Sequence, residues 1–192
     1  MRNNMFKKKK GEYGYIAKSK RIDVIKMLLY VGVALAVFGL GLILNKMSYE
    51  NIFTVLAILF VLPWARVLVE FIVFFPYSTP SKEQYDKVAS AIGEDAVLAS
   101  DMVITSTEKS MGLSFLVMGN GYVVGLVMNQ KQNVDEIQSY LRKGVNNWSD
   151  KYRVKMYSNF NEFLKDVKEA KEKEITEKER ENVEKFIFSL VV

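Results

Sequence analysis

The sequence predicts an α+β protein, in which a two-helix transmembrane hairpin precedes a small four-stranded α/β domain with the element order αβββαβαα. Three observations predict this class. Two apolar runs lie between residues 27 and 75 around a short polar turn, the composition becomes mixed after Pro76, and strand-like segments then alternate with capped helices. The chain of 192 residues therefore divides into a basic cytosolic arm (1–26), the hairpin (27–44 and 52–75) and a cytosolic domain with a charged helical C-terminus (77–192).

The first apolar run, Met27 to Leu44, has no charged residue and no polar face. As a helix it would be roughly 27 Å long, close to the ~30 Å hydrocarbon core of a bilayer. A buried helix of a soluble protein would normally keep a polar face, so a membrane span is the better interpretation. Gly32 and Ala36 lie four residues apart, which predicts close helix packing unless these small residues reflect only the usual composition of membrane helices.

The second apolar run extends from Ile52 to Phe75 and contains Pro63. Proline lacks the N–H and its ring crowds the preceding turn, so a kink is predicted there. Arg66 and Glu70 lie one turn apart on the same helix face. Ionisable residues at membrane depth usually have a function, which makes this pair a candidate site. The alternative, which we favour, is an interfacial pair in which Arg66 extends to the headgroups and binds Glu70.

Charge is distributed unevenly along the chain, whose net charge is +5. The arm carries nine basic residues against Glu12 and Asp23, whereas residues 77–192 carry 16 basic and 18 acidic residues. Basic flanks stay in the cytoplasm, so we expect both termini to be cytoplasmic and the chain to lie in the cytoplasmic membrane. The slightly negative domain argues against nucleic-acid binding.

The cations of the arm are candidate contacts for anionic lipids, because each basic residue near the inner leaflet contributes ~1 kcal/mol. The alternative is that they only set the topology. Tyr13 and Tyr15 are expected at the headgroup level. The candidate lipid contacts are Lys7, Lys8, Lys9, Lys10, Lys18, Lys20 and Arg21.

The chain contains no Cys and no His, which excludes disulfides, thiol nucleophiles, imidazole bases and the usual structural zinc sites. A metal would have to be a hard, oxygen-liganded ion such as Mg²⁺. We predict no cofactor, no metal site and no catalytic residue. Carboxylate, serine and lysine chemistry stays open, because such residues are close together in one part of the sequence. They are Asp101, Ser106, Glu108, Lys109 and Ser110.

Four segments of the domain are predicted to be strands, because they are apolar or alternate between turn residues. They are residues 96–105, 111–118, 122–128 and 152–157. The third is apolar on both faces and is predicted to be central. Gly119–Asn120–Gly121 is predicted to form the hairpin turn before it.

Helices are predicted where a capping residue precedes an apolar stripe. The caps are Ser81 or Thr79, Asn133 with Glu136, Asn159 or Asn161, and Thr176 with Glu179. Three ion pairs at i,i+4 spacing support the charged tail as helix: Glu169–Lys173, Glu174–Lys178 and Glu181–Lys185. The last helix has an apolar stripe from Val183 to Val191 that needs a partner, which is the domain, a second subunit or the bilayer surface.

Two motifs carry a family resemblance. GEYGYI at residues 11–16 and NIFTVLAILFVLPWAR at residues 51–66 resemble a group of small, uncharacterised bacterial two-span membrane proteins with a cytosolic α/β domain. The resemblance implies location and layout, and it implies no activity and no catalytic residue.

The order of helix, three strands, helix and strand also resembles the core of PD-(D/E)xK nucleases. In those enzymes an acid on the second strand and a (D/E)xK motif on the third hold Mg²⁺. The third strand here, residues 122–128, has neither an acid nor a lysine.

These observations lead us to expect a membrane-tethered cytosolic binding or regulatory module. The alternatives are a small membrane-anchored enzyme with carboxylate, serine or lysine chemistry, and a degenerate nuclease-like fold without activity. The expected partners are the lipid bilayer with its anionic lipids and either another protein or a second copy of the chain, but no nucleic acid.

Overall fold

The computed structural model describes residues 10–106, 109–129 and 131–192. It contains two compact units, a helical unit from Ala17 to Pro76 and a mixed unit from Tyr77 to Val192. Residues 10–16, which belong to the sequence-predicted arm, group with the mixed unit.

The helical unit contains α1 (Tyr15–Leu44), α2 (Ile52–Leu59) and α3 (Val61–Phe74). The first helix therefore begins at Tyr15, well before the predicted span at Met27, so the second half of the arm is helical. The helices of 30 and 23 residues, Tyr15–Leu44 and Ile52–Phe74, are long and apolar enough to cross a membrane.

The interruption predicted near Pro63 is present. The α2 helix ends at Leu59, because Pro63 has no N–H to donate to the Leu59 carbonyl and its ring would collide with that carbonyl in a continuous helix. Phe60 closes the turn with its N–H donating to the Ala57 carbonyl at 3.3 Å, and α3 then starts at Val61.

The α1 helix packs closely against the start of α2 at Gly41 rather than at Gly32 and Ala36. A Cβ on Gly41 would lie 2.5 Å from Phe53 Cβ, whereas a Cβ on Gly32 would meet nothing within 4 Å. The predicted role of Gly32 and Ala36 is therefore wrong for contact between these helices. Gly41 lies next to the turn, where the two chains must be closest.

The mixed unit has one four-stranded sheet in the order β1-β2-β3-β4. The strands are β1 (Val97–Thr105), β2 (Ser110–Gly119), β3 (Tyr122–Val127) and β4 (Arg153–Tyr157). The β1–β2 and β2–β3 pairs are antiparallel, and β4 is parallel to β3. The predicted order αβββαβαα is confirmed, and every residue of β3 is buried, as expected for a central strand.

Helices cover both faces of this sheet. On one face α5 (Val134–Asn146) and α7 (Glu177–Ser189) pack Leu141 and Ile187 against Leu116. On the other face α4 (Lys82–Ala89) and α6 (Phe160–Glu169) enclose Val124 and Phe115. The apolar stripe of the last helix therefore packs on its own domain, which is one of the three partners left open by its sequence.

The predicted caps are present with one exception in detail. Thr176 and Glu179 form a reciprocal capping box, with the Glu179 N–H 3.3 Å from the Thr176 hydroxyl. Asn133 accepts from the Glu136 N–H at 3.2 Å, but the Glu136 carboxylate binds Lys109 Nζ at 3.0 Å instead of returning to the cap.

The charged tail forms two helices, as the capping box at Thr176 predicts, but α6 already ends at Glu169 and α7 starts at Glu177. The predicted pairs Glu169–Lys173 and Glu174–Lys178 are therefore wrong, whereas Glu181–Lys185 is present at 2.7 Å. Lys173 bonds across the domain instead, its N–H to the Asn120 carbonyl at 3.0 Å and its Nζ to the Lys151 carbonyl at 2.8 Å.

Other parts of the chain cover both edges of the sheet, which removes unpaired strand groups that would template aggregation. Along β1, the Gly11 carbonyl accepts from Ser100 N–H at 2.9 Å and the Val103 carbonyl accepts from Val192 N–H at 3.0 Å. Along β4, Gln138 Oε1 accepts from the Met156 N–H at 3.0 Å.

Val124→Asp is expected to destabilise the mixed unit by more than about 3 kcal/mol, because it buries a carboxylate without a partner in the middle of the sheet. Trp148 fluorescence during denaturant unfolding, in a Trp64→Phe background that leaves one tryptophan, measures the loss. Lys155 is the register partner of Val124 but is exposed, so Lys155→Asp is the matched control and should change little. Cooperative unfolding of Val124→Asp at the unmutated midpoint would contradict the core described above.

Candidate functional site

The Arg66–Glu70 pair is present as predicted from its spacing. Arg66 Nε lies 3.9 Å from Glu70 Oε1, at the long end of an ion pair. The Arg66 side chain is 86% exposed and that of Glu70 37% exposed, so the pair is formed on the outside of the helical unit.

The arm cations fall into three groups. Lys7, Lys8 and Lys9 lie outside the described residues. Lys10 donates to the Val191 carbonyl within the mixed unit, and Lys20 Nζ donates to the Phe75 carbonyl at 2.9 Å, 5.7 Å from the Phe75 ring centroid. Lys18 and Arg21 are exposed on the first turns of α1. Two of the predicted lipid contacts therefore bind protein carbonyls.

The polar residues that left a catalytic function possible lie in different surroundings in the structure. Glu108 lies outside the described residues, and Lys109 pairs with Glu136. Ser110 Oγ accepts from the Tyr77 hydroxyl at 3.0 Å, and Asp101 points to the arm. Neither β2 nor β3 carries an acid or a lysine, so the nuclease-like order of elements comes without nuclease chemistry on those strands.

Asp101 is the most unusual residue of the mixed unit. It is fully buried in β1 with a φ of +54°, a left-handed conformation that is uncommon in a strand. Its Oδ2 accepts from the Gly14 N–H at 2.5 Å. Because α1 begins at Tyr15, the carboxylate acts as a cap for this helix from a distant part of the chain.

Burial raises the pKa of Asp101 from its ordinary 3.8 to about 6. The N–H groups of Gly14 and Tyr15 and the hydroxyl of Thr79 favour the charged form, and they hold the pKa below the value that burial alone would give. These three donors come from the arm and from the linker that follows the second apolar helix. The carboxylate thus ties both connections to β1, an arrangement that we call the Asp101 clasp.

The GEYGYI motif is explained by this clasp. Gly11 and Gly14 have φ values of +81° and +83°, which glycine adopts without strain. The Tyr13 hydroxyl donates to the Pro80 carbonyl at 3.0 Å, and the Tyr15 hydroxyl donates to the Val192 carbonyl at 2.9 Å. Both hydroxyls thus bind carbonyls of the mixed unit, and the location of these tyrosines at the lipid headgroups stays a prediction.

A groove between α4 and α6 is the second candidate. Its polar end, a cavity of about 350 Å³, lies at the carboxyl ends of the parallel strands β3 and β4, beside Val127 and Ser158. Carboxyl ends of parallel strands are the usual place for ligands in such sheets. The polar end is lined by the uncharged side chains of Ser78, Gln84, Ser114, Ser158 and Asn159, together with Phe160.

A second cavity of about 590 Å³ continues the groove along the same two helices. It shares Gln84 and Phe160 with the polar end and adds Lys87 and Lys168. The sequence did not indicate this groove, because its residues come from four separate elements. The one local signal was Ser114, a serine within an otherwise apolar strand.

Comparisons with protein-family models, with curated proteins and with solved structures find no match to this chain. The site is therefore interpreted from its geometry and chemistry, and the resemblance carried by GEYGYI stays a prediction.

The clasp predicts a pH dependence that Asp101→Asn should remove. Between pH 3.8 and about 6 the folded state binds the proton more tightly than the unfolded chain. The free energy of unfolding should therefore fall as pH rises through this window, by on the order of 2 kcal/mol, and stay level above it. Asparagine tolerates the left-handed conformation but does not titrate, so its profile should be flat there.

Chemical denaturation of the unmutated protein, Asp101→Asn and Asp101→Ala between pH 4 and 8 checks this. Alanine removes both the acceptor and the tolerance for positive φ, so it should be less stable at every pH. The Thr176 N–H and hydroxyl lower the pKa of Glu179 to about 2. Glu179 therefore makes the free energy of unfolding rise with pH at lower pH, and this contribution is the same in all three proteins. Identical pH profiles for the aspartate and asparagine forms would contradict the assignment.

Proposed function

We propose that this protein is a membrane-tethered binding or regulatory module. Its two apolar helices cross the cytoplasmic membrane, and its arm and mixed unit lie in the cytoplasm. The observation that carries the proposal is that only 6% of either apolar window is buried. A core helix of a soluble protein would be mostly buried, so helices that present leucine, isoleucine and valine outward need lipid around them.

The charge of the chain supports the proposed sidedness. The basic residues concentrate before the first apolar run, and the turn at residues 45–51 has one lysine and one glutamate. Basic segments remain on the cytoplasmic side, which puts the turn outside. Lys18 and Arg21, which are exposed, are the described arm cations best suited to contact anionic lipids.

The contacts around the mixed unit support a tethered module rather than a passive anchor. The arm before α1 and the linker after α3 both bind this unit, through the Asp101 clasp and through the Tyr77 hydroxyl, which donates to the Ser110 carbonyl at 2.7 Å. The polar end of the groove is lined by hydroxyl and carboxamide groups. Such a lining favours binding over catalysis.

Cysteine accessibility tests the sidedness, because the chain has no cysteine of its own. Ser48→Cys in the turn should react with a membrane-impermeant maleimide in intact cells. Ser139→Cys on the exposed side of α5 should react only after permeabilisation. Recovery of the protein in the soluble fraction would reject the membrane tether, and the reverse labelling pattern would reject the orientation.

Arg66→Ala should leave the amount of membrane-inserted protein nearly unchanged if the pair is interfacial, because water and headgroups then solvate Glu70. A deep pair would behave differently, since removing Arg66 would leave Glu70 alone in hydrocarbon. Quantitative immunoblotting of membrane fractions measures the difference. A large loss for Arg66→Ala that Glu70→Gln restores would show that the pair is deep.

A further inference from the structure

Ser114 points to a ligand for the polar end of the groove. On β2, Leu113 pairs with Val127 and Phe115 with Leu126, so Ser114 is an extra residue that bulges out of register with β3. It is 9% exposed, and its hydroxyl has no hydrogen-bonding partner among the described residues. A bulge turns its side chain out of the regular ladder, and bulges frequently adjoin binding sites.

Other polar groups at this end are also unpaired. In the part of the chain that the structure describes, no hydrogen bond is formed by the Gln84 carboxamide, the Asn159 Nδ2 or the Ser158 hydroxyl. Carboxamides offer a donor and an acceptor side by side, the pattern that reads the edge of a purine base. Phe160 stands between the two cavities with a ring on which a base can stack.

The other end of the groove carries positive charge. Lys87 is paired with Glu83 at 2.6 Å, so these two charges offset each other. Lys168 has no ion-pair partner within the described residues, which leaves one net positive charge on this wall. A lysine is a strong donor to phosphate oxygens.

We propose that the groove binds a purine nucleoside monophosphate, with the base and ribose at the polar end and the phosphate at Lys168. The order of the groups along the groove matches the order of the parts of such a ligand. This inference rests on the proposed function, because it names the ligand class of the binding module. The ligand is recognised through hydrogen bonds, stacking and one charge, and no covalent step is involved.

Titration calorimetry of the full chain in lipid nanodiscs, with AMP, adenosine, ribose 5-phosphate and inorganic phosphate as separate probes, tests the proposal. AMP should bind, and adenosine and ribose 5-phosphate should each bind at least about tenfold more weakly, because each lacks one recognised part. Lys168→Ala should weaken AMP about tenfold and leave adenosine unchanged. Ser114→Ala should weaken both.

Lys165→Ala is the matched control, since Lys165 is an exposed lysine on the same helix that does not line the groove. Absence of AMP binding at millimolar concentration would overturn the proposal. Equal binding of AMP and ribose 5-phosphate, or an equal effect of the two lysine substitutions, would also overturn it. A protein that binds AMP but fractionates as soluble would reject the membrane tether and keep the nucleotide site, so the two failures are distinguishable.

Discussion

The Asp101 carboxylate joins β1 to the arm and to the linker, because it accepts from the N–H groups of Gly14 and Tyr15 and from the hydroxyl of Thr79. Removing a carboxylate from water costs several kcal/mol, and no cation among the described residues forms an ion pair with Asp101. What offsets this cost is a set of N–H and hydroxyl donors together with the positive end of a helix dipole. The donors belong to residues 14, 15 and 79, so the strand position of Asp101 is held only while arm, helix start and linker stay together.

Closing the sheet edge gives the arm a structural role of its own. The β1 strand is an edge, and an uncovered edge would expose unpaired backbone groups. Gly11 of the arm and Val192 at the C-terminus both form backbone hydrogen bonds with β1, so two segments that are distant in sequence cover the same strand. The domain is therefore complete only with residues that precede the first apolar helix, and a boundary drawn at Tyr77 leaves part of its edge open.

Local signals in the sequence predicted most elements of the fold. Caps such as Thr176, the turn at Asn120–Gly121 and the two-sided apolar character of β3 each act within a few residues, so the sequence shows them directly. The end of α6 was missed because i,i+4 pairs contribute only ~0.3–0.5 kcal/mol, less than the contacts that Lys173 makes with Asn120 and Lys151. The clasp and the groove were missed because both depend on residues that are far apart in sequence.

One irregularity in the sheet underlies both candidate sites. In the β1–β2 register, Ser100 pairs with Phe115 and Met102 pairs with Leu113. The position between these two pairs is occupied by Asp101 on β1 and by Ser114 on β2. Neither residue is paired there, because Asp101 has a left-handed conformation and Ser114 bulges relative to β3. The Asp101 conformation that supplies the clasp and the bulge that presents Ser114 to the groove therefore lie side by side at one irregular point of the sheet.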